Sequence, residues 1–424
     1  MNIEILNIGT ELTTGRVLNT HQQWLCSELF RAGYAVSRQT LVADEPQIMA
    51  AVFREALARS DVVIATGGLG PTTDDLTVET VAKLLGTKLV FDEPTFEEIK
   101  NFFEQRGRPV PDNARRQALV PESARALHNP NGTAPGIALL LQPNPFQPGA
   151  DKSGLFLLPG PPRELRPMFT RQVLPWITRE FPCDVVVACR NLRTTGLGES
   201  FVQNKIQEPL NALTEAGLEV GYCARPGEVD VRLTARGCGA EETVGEAERI
   251  VRSCLGEIIY GQETDSLEAV VVQLLASKKL TLALAESCTG GLIASRITDV
   301  PGASAVFLAG HVTYSNAAKE TMLGVPAETI EQHGAGSEQT ARAMAEGARQ
   351  RTGADVALSG TGIAGPSGGS AEKPVGTVYI SLAAQAGTTV EKCFNPYDRQ
   401  TFKWVTAQQA LDLLRRHLAR VSNK

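Results

Sequence analysis

The sequence has no long hydrophobic run and no basic leader. No apolar stretch among its 424 residues approaches the roughly 20 residues that cross a bilayer, which excludes a membrane-spanning protein. The first residues, MNIEILNIGTEL, contain Glu4 and a Gly-Thr-Glu turn where a secretory signal has basic residues followed by a long apolar segment. We therefore expect a cytoplasmic protein whose mature chain begins at or near Met1.

Paired cysteine motifs and concentrated positive charge are also missing. The eight cysteines are scattered, without a CxxC pair or a histidine at the spacing of zinc ligands, so we expect reduced thiols that lie mostly in the core. The net charge is −6, and Lys and Arg form no cluster longer than a pair. Because tight, sequence-independent binding of nucleic acid needs a concentrated basic face, no nucleic-acid partner is expected.

The order of strand-like and helix-like segments indicates three domains without an internal repeat. Residues 1–175 alternate strands and helices through short loops, which is typical of a doubly wound, three-layer α/β domain with a parallel sheet. Residues 176–263 predict a small, compact α+β domain. Residues 264–424 predict a second three-layer α/β/α domain, whose first helix has Asp265 and Glu268 at the spacing of a capping box.

Two glycine-rich turns of the first domain, NIGTELTTG and ATGGLGPTTDD, each follow a predicted strand. In such sheets ligands bind beyond the carboxyl ends of the strands. Asp74 and Asp75 precede a predicted helix, and one of them is expected to cap its free N–H groups. The second aspartate is surplus to capping, and with Asp44 from the end of a neighbouring strand it could coordinate a hard cation such as Mg²⁺.

The segment LALAESCTGGLIASRIT places Ser287 at the end of a predicted strand, before a Gly-Gly turn into a helix. Such a turn exposes a hydroxyl and points backbone N–H groups at a ligand, as an acyl-transfer site requires. The same pattern also occurs as a plain strand-to-helix connection or a phosphate cradle. Cys288 is a rival nucleophile, and since neighbouring residues point differently, only one of the two can face the pocket.

A serine nucleophile needs a base, and Lys319 is the candidate. Two histidines of the domain, His311 and His333, stand in no recognisable triad context. In VTYSNAAKETML, Ser315 and Asn316 are expected to cap a helix that carries Lys319 on its first turn. There the positive end of the helix dipole lowers the pKa of a cation. The alternative is a solvated surface lysine.

A further glycine-rich loop, SGTGIAGPSGG, follows the next predicted strand and is expected at the same edge of the sheet. Thr361 and its flanking glycines could approach a substrate closely there. The motifs AESCTGG, YSNAAK, SGTGIAGP and KPVGTVYI, in this order and spacing, resemble the CinA family over essentially the whole chain. The C-terminal domain of that family is similar to the nicotinamide mononucleotide (NMN) deamidase PncC.

The resemblance implies hydrolysis of the carboxamide of NMN to nicotinate mononucleotide and ammonia, without a metal or another cofactor. It places a Ser-Lys dyad on Ser287 and Lys319, with Tyr314 and Thr361 assisting. The implied oxyanion and substrate contacts are Thr289, Gly290, Gly291, Gly360 and Gly362. The family often has a second arginine after GDR, where YDRQTFKW has Lys403; if this position touches phosphate, the charge is kept but bidentate contact is lost.

The first domain resembles the molybdopterin-binding domain through GTEL, GGLGPTTDD, NGTAPG and PGPPRE. In the CinA family that domain is associated with ADP-ribose pyrophosphatase activity that depends on a divalent metal ion such as Mg²⁺, Co²⁺ or Mn²⁺. The resemblance implies Asp44 and Asp75 near the metal or the reacting phosphates. The other implied nucleotide contacts are Gly9, Thr10, Glu11, Gly67, Gly68, Gly70, Asp74 and Gly160.

The middle domain resembles the family's KH-like domain but lacks a basic face. Its TTGLGES segment has Gly196 and Gly198 two residues apart, which is not a GxxG clamp, so we expect a spacer or interface rather than an RNA reader. The resemblance as a whole implies a homodimer that recycles pyridine nucleotides. The alternatives are a non-catalytic nucleotide- or pterin-binding regulator linked to competence or DNA damage, and molybdenum-cofactor chemistry in the first domain.

Overall fold

The structure is a computed structural model that describes residues 1–183 and 185–421. Asp184, in the predicted middle domain, and residues 422–424, in the predicted last domain, lie outside the described residues. The chain divides into two compact units, Met1–Val187 and Ala188–Lys424. No helix in the described ranges is long and apolar enough to cross a membrane.

The first unit is built around a mixed sheet. Its strands are β1 (Ile3–Ile8), β2 (Val36–Val42), β3 (Val62–Thr66), β4 (Leu89–Phe91), β5 (Leu119–Pro121), β6 (Arg125–Leu127), β7 (Gly136–Leu141) and β8 (Ser153–Leu158). Its helices are α1 (Thr10–Thr13), α2 (His21–Arg31), α3 (Pro46–Arg59), α4 (Thr77–Leu85), α5 (Glu93–Glu104), α6 (Pro162–Met168) and α7 (Leu174–Glu180). A 3₁₀ turn spans Asp112–Ala118 and a π-helical turn spans Phe169–Val173.

The main sheet has the order β2-β1-β3-β8-β7-β6, and β4 pairs with β5. Strands β1, β2, β3 and β8 are parallel, and β7 and β6 continue the sheet in antiparallel fashion. Side chains alternate across β1: Leu6 packs on the face covered by α3, and Ile5 on the face covered by α2. Helices therefore cover both faces, which confirms the three-layer α/β prediction, with two antiparallel strands added at one edge.

The second unit begins with the α+β domain. It contains β9 (Val187–Thr195), α8 (Glu199–Glu215), β10 (Glu219–Arg225), β11 (Glu228–Arg236), α9 (Ala240–Leu255) and β12 (Ile259–Gln262), with a 3₁₀ turn over Gly256–Ile258. The sheet order is β10-β11-β9-β12. Val202 and Ile206 of α8 and Val244 of α9 join the strands in one hydrophobic core, so this domain is α+β, as predicted.

The rest of this unit is the second three-layer domain. Its strands are β13 (Leu282–Glu286), β14 (Phe307–Val312), β15 (Val356–Gly362), β16 (Thr377–Ala384) and β17 (Gly387–Phe394). Its helices are α10 (Leu267–Lys278), α11 (Leu292–Thr298), α12 (Asn316–Leu323), α13 (Ala327–His333), α14 (Glu338–Thr352) and α15 (Arg399–Arg420). A 3₁₀ turn spans Ala303–Ala305.

The sheet of this domain has the order β14-β13-β15-β16-β17. Strand β13 is parallel to both of its neighbours, whereas β16 and β17 are antiparallel additions. Helices α10, α11 and α15 share one hydrophobic core with the sheet, and α12, α13 and α14 share the other. The central β13 is buried along its whole length, so its carboxyl end is held rigidly where the Ser287 turn begins.

The capping-box prediction is wrong. Ser266 caps α10 by accepting a hydrogen bond from the Ala269 N–H at 3.3 Å. The helix starts one residue later than the proposed capping box requires, because Asp265 is used in the preceding turn, where it accepts from the Gln262 N–H at 2.9 Å. The cysteines are free thiols, and most lie in or against a hydrophobic core, as predicted: Cys288 is buried, and Cys26, Cys183, Cys254 and Cys393 are partly buried against core clusters. Cys223 and Cys238 are exposed.

Candidate active site

Ser287 lies directly after β13, in the turn that leads into α11. Its N–H donates to the Gly360 carbonyl at 3.0 Å, which ties the turn to β15. Gly290 and Gly291 have φ angles of +62° and +93°, which side chains rarely tolerate. The Gly-Gly pair therefore turns the chain sharply into the helix, as the sequence predicts.

Lys319 approaches Ser287 from the first turn of α12. Its Nζ lies 3.1 Å from the Ser287 Oγ and donates to the Thr313 carbonyl at 2.9 Å. The lysine is only 1% exposed, and this burial lowers the pKa of its ammonium group. A neutral amine at this distance can accept the proton of a hydroxyl, so the two residues have the geometry of a nucleophile and its general base. Burial excludes the alternative of a solvated surface lysine.

Cys288, the next residue, is buried in the core and is only 5% exposed. It belongs to the hydrophobic core formed with α10, α11 and α15. Burial, reinforced by the nearby Glu286 carboxylate, raises the pKa of the Cys288 thiol to about 12. The thiol therefore stays protonated at neutral pH and is a poor nucleophile. Of the two adjacent candidates, Ser287 is the one that faces a base.

The turn offers two backbone amides to an oxyanion. In the described part of the chain, the N–H groups of Cys288 and Thr289 donate to no backbone carbonyl, and both face the Cys288 sulfur, a weak acceptor. The Gly290 N–H instead donates to the Ser287 carbonyl at 3.2 Å, and the Gly291 N–H donates to Glu286 at 3.0 Å. The geometry therefore favours the amides of Cys288 and Thr289 as oxyanion donors over those of Gly290 and Gly291, which already donate to oxygen acceptors.

Glu286, the last residue of β13, is a structural element of the site that sequence reasoning missed. Its Oε2 accepts from the N–H groups of Gly291 and Ile293 at 3.0 and 3.1 Å, and its Oε1 accepts from that of Ala294 at 2.8 Å. One buried carboxylate thus satisfies the free amides at the start of α11, where negative charge is favourable. The available signal was an acidic residue that ends the otherwise apolar strand LALAE.

The other predicted residues of this domain differ in what they contact. Tyr314 is exposed, and its hydroxyl accepts a hydrogen bond from Arg399. Thr361 is buried and donates to the Ala335 carbonyl at 2.7 Å, so its hydroxyl is engaged within the chain. The Thr289 hydroxyl is buried and has no partner among the described residues.

The two glycines of β15 have different roles. A Cβ on Gly360 would meet no atom within 4 Å, so this position borders open space beside Ser287. A Cβ on Gly362 would lie 2.5 Å from the Thr377 carbonyl oxygen, so the pairing of β15 with β16 requires a glycine there. Packing, and not the approach of a ligand, accounts for Gly362.

Two cations lie in the first turns of α15, and one of them, Lys403, is beside the Ser287 turn. Arg399 donates to the Tyr314 hydroxyl and, at 2.9 Å, to the Gly365 carbonyl. The Lys403 Nζ lies 3.5 Å from the point that a Cβ on Gly290 would occupy. These charges would attract an anionic group of a substrate bound against the turn.

The first unit contains a cavity of about 620 Å³ at the carboxyl ends of β1, β3 and β8. The predicted residues that line it are Gly9, Glu11, Asp44, Gly67, Gly68, Gly70, Asp74, Asp75 and Gly160. Thr10 is not in the lining; its N–H donates to the Asp44 Oδ2 at 2.7 Å and so orients that carboxylate. Glu164, which sequence reasoning missed, also lines the cavity.

The paired aspartates do not cap α4. This helix begins at Thr77, and its N-cap residue, Leu76, provides no side-chain hydrogen bond. Asp75 instead accepts from the Thr72 N–H at 3.0 Å, which closes the preceding loop on itself. A Cβ on Gly70 would lie 2.4 Å from the Asp75 Oδ2, so the glycine makes room for this carboxylate. The capping prediction is therefore wrong, and both aspartates face the cavity.

The lining of this cavity suits a hard cation only in part. Asp44 and Asp75 each use one carboxylate oxygen for a backbone amide, and hard carboxylate oxygens are ligands that Mg²⁺ and Mn²⁺ accept. Within residues 1–183 and 185–421, no group of three or more His, Cys, Asp or Glu residues is placed to hold a metal ion. A divalent ion bound here would need water and ligand phosphates to complete its shell.

Successive parts of the chain match three known families. Residues 4–179 match "Probable molybdopterin binding domain", residues 189–261 match "Damage-inducible protein CinA KH domain", and residues 264–418 match "CinA C-terminal domain". The chain is 45% identical over 413 residues to a CinA-like protein of Akkermansia muciniphila, covering 97% of this chain and 96% of the relative. The chain belongs to the CinA family.

Other CinA relatives agree. A CinA-like protein of Dictyoglomus thermophilum is 44% identical over 421 residues, covering 99% of both chains. Among solved structures, the competence/damage inducible protein CihA of Agrobacterium tumefaciens is 41% identical; the match covers 37% of this chain and 98% of that one, with a TM-score of 0.35. The family matches and the two full-length relatives confirm, at the level of the CinA family, the resemblance drawn from the sequence motifs.

Proposed function

We propose that the C-terminal domain is an amidohydrolase that converts NMN to nicotinate mononucleotide and ammonia. The observation that carries the proposal is the 3.1 Å separation between the Lys319 Nζ and the Ser287 Oγ in a buried site. The choice of substrate rests on the family resemblance. It is supported by Lys403 beside the Ser287 turn and by Arg399 beside Tyr314, whose positive charges suit the phosphate of a mononucleotide.

In this reaction neutral Lys319 takes the proton of Ser287 as the hydroxyl oxygen attacks the carboxamide carbon. The N–H groups of Cys288 and Thr289 stabilise the oxyanion that forms. Lys319 then gives its proton to the leaving nitrogen, the C–N bond breaks, and ammonia departs; Tyr314 is the other candidate donor for this proton. Water, deprotonated by Lys319, hydrolyses the acyl-enzyme and regenerates Ser287.

The first experiment measures ammonia release from NMN by the full chain and three variants. We expect Ser287→Ala and Lys319→Ala to be inactive although folded, and Cys288→Ala to keep most of the wild-type rate. Circular dichroism of each variant provides the folding control. Full activity in Ser287→Ala would refute the role of Ser287 as the nucleophile. No ammonia from the wild type would refute the proposed activity.

For the first domain we propose a second activity, metal-dependent cleavage of ADP-ribose to AMP and ribose 5-phosphate. The acid-lined cavity favours it, because a pyrophosphate can approach these carboxylates only with a cation between them. Asp44 and Asp75 would hold the Mg²⁺, Co²⁺ or Mn²⁺ ion, whose charge supplies electrostatic stabilisation of the phosphates. The Thr10 and Thr72 amides fix the orientation of the two carboxylates.

This second proposal is tested by product formation from ADP-ribose with each metal, in wild type and in Asp75→Asn. Tight binding of ADP-ribose without cleavage would favour the regulatory alternative, and binding of a pterin in its place would favour molybdenum-cofactor chemistry. If both activities are present, the chain recycles two breakdown products of NAD. The homodimer and the cytoplasmic location stay predictions.

A further inference from the structure

Buried polar side chains join the KH-like domain to the helix that follows the Ser287 turn. Glu228 is the first residue of β11, and its Oε1 accepts from the Gln408 Nε2 of α15 at 2.9 Å. The Oε1 of Gln408 accepts in turn from the Arg296 Nη2 of α11 at 2.7 Å. Gln408 is 0% exposed, Arg296 5% and Glu228 7%. We call these three residues the relay.

Both ends of the relay are held by further contacts. At the KH-like end, the Tyr260 hydroxyl donates to the Glu228 Oε1 at 2.6 Å. At the other end, Arg296 pairs with Glu268 at 2.7 Å, and its guanidinium lies 4.6 Å from the centre of the Trp404 ring. The backbone is close as well, since a Cβ on Gly227 would lie 3.3 Å from the Gln408 Cγ.

The side chain of Gln408 can satisfy this arrangement in only one orientation. Its NH₂ group must face the carboxylate of Glu228, and its carbonyl oxygen must face the guanidinium of Arg296. In addition, the Nε and Nη1 atoms of Arg296 have no acceptor among the described residues, so its Nη2 contacts determine where the side chain lies. Buried hydrogen bonds of this kind are costly to break.

The relay joins the two elements that border the candidate active site. Helix α11 begins immediately after the Ser287 turn, and Glu286 holds the amides at its start. Helix α15 carries Arg399 and Lys403 in the turns that precede Gln408. A displacement of α11 relative to α15 would therefore move the Ser287 turn against both Lys319 and these two cations.

We propose that Glu228, Gln408 and Arg296 are positioning residues through which the KH-like domain holds the Ser287 turn in its reactive geometry. The proposal rests on the proposed Ser-Lys chemistry, but not on the identity of the substrate. On this proposal the KH-like domain stabilises the position of the Ser287 turn, which belongs to the C-terminal domain.

The test exchanges the charges of the relay in the full chain. Gln408→Glu places a second carboxylate against Glu228, which breaks the relay by repulsion. Combining Glu228→Gln with Gln408→Glu reverses the donor and the acceptor, so the amide introduced at position 228 donates to the carboxylate introduced at position 408. That carboxylate also pairs with Arg296. Glu241→Gln is the matched control, because Glu241 forms an exposed ion pair with Arg190 in the same domain.

The readout is the rate at which a fluorophosphonate probe labels Ser287, located by peptide mass spectrometry. The Ser287 Oγ bonds to phosphorus, fluoride leaves, and the hydroxyl proton passes to Lys319, so the rate reports the dyad without NMN. We expect Gln408→Glu to slow labelling about tenfold, as small misplacements of reacting groups do. The double exchange should return the rate to within about threefold of wild type, and Glu241→Gln should leave it unchanged.

A cluster that served stability alone would lower the melting temperature and leave the labelling rate of folded protein unchanged, which would overturn the proposal. Failure of the double exchange to restore the rate would overturn it as well. If Gln408→Glu does not fold, Gln408→Met breaks the relay without adding charge. A wild-type labelling rate in Gln408→Met would also overturn the proposal. Labelling of Ser287 without ammonia release from NMN would refute the proposed substrate, while the relative labelling rates still decide the relay.

Discussion

The Nζ of Lys319 donates to the carbonyl oxygen of Thr313 at 2.9 Å while it lies 3.1 Å from the Oγ of Ser287. The carbonyl holds one hydrogen of the amine and so orients the group toward the serine. Because the lysine is buried, its charged form is disfavoured. The protonation state of one amine therefore controls whether Ser287 has a base.

The pH dependence of Ser287 reactivity should reflect this amine. Burial lowers the pKa of Lys319, so the neutral base becomes populated as the pH rises through that lowered value. We expect the Ser287 labelling rate and kcat/KM for NMN to rise with pH. The midpoint should lie below the ordinary lysine pKa of about 10.4. A profile that is flat from pH 6 to 10 would contradict this assignment.

Lys319→Met should remove activity and change the stability profile. In wild type the folded pKa lies below the unfolded one, so the unfolded state binds more protons between these two values and stability rises with pH there. The variant lacks this dependence. Its melting temperature relative to wild type should be highest at low pH and should decline as the pH rises through the folded pKa, while activity falls by about three orders of magnitude. The exposed lysine variant Lys205→Met is the control, and it should show neither effect.

Glu286→Gln should weaken both the turn and the helix that follows it. The amide can accept through only one oxygen, so at least one buried N–H of Gly291, Ile293 or Ala294 loses its acceptor. We expect the free energy of unfolding to fall by about 1–3 kcal/mol. Urea unfolding measures this change, and the labelling rate of Ser287 should fall with it. The exposed Glu328→Gln should match wild type in both measurements.

Substitutions of Lys403 should separate binding from chemistry. Its ammonium group lies beside Gly290, where we place the phosphate of the substrate. We expect Lys403→Ala to raise KM for NMN about tenfold with kcat nearly unchanged, and Lys403→Arg to lower KM through bidentate contact. Nicotinamide riboside, which lacks the phosphate, serves as the control substrate. An equal effect on both substrates would place the phosphate elsewhere.

Gly70→Ala should disable the cavity of the first unit. The added methyl group would lie 2.4 Å from the Asp75 Oδ2 and push the carboxylate away. We expect at least a tenfold loss in Mn²⁺-dependent affinity for ADP-ribose by calorimetry. Ammonia release from NMN should be unaffected. Gly245→Ala, at a position where a Cβ meets nothing within 4 Å, is the control.

Much of the fold could be predicted because it depends on local patterns. Segments such as LALAE and DVVIA are too apolar to lie anywhere but in a buried strand, and the helix of Lys319 is capped by Ser315 as predicted. The capping prediction for Asp74 and Asp75 was wrong because the preceding loop closes on Asp75 before α4 begins. The hydrogen bonds inside such a loop follow no helical or strand period, so the spacing of residues in the sequence does not predict them.

By itself the sequence determined the order of the domains, the turn that carries Ser287 and the lysine that could serve it, since propensity, apolar period and glycine placement act over neighbouring residues. Tertiary structure alone decided that Ser287 and not Cys288 faces Lys319, and that Glu286 holds the start of α11. It also brought Glu228 to Gln408, which is 180 residues away. These outcomes depend on which surfaces pack together, because packing sets the burial and hence the charge state of each group.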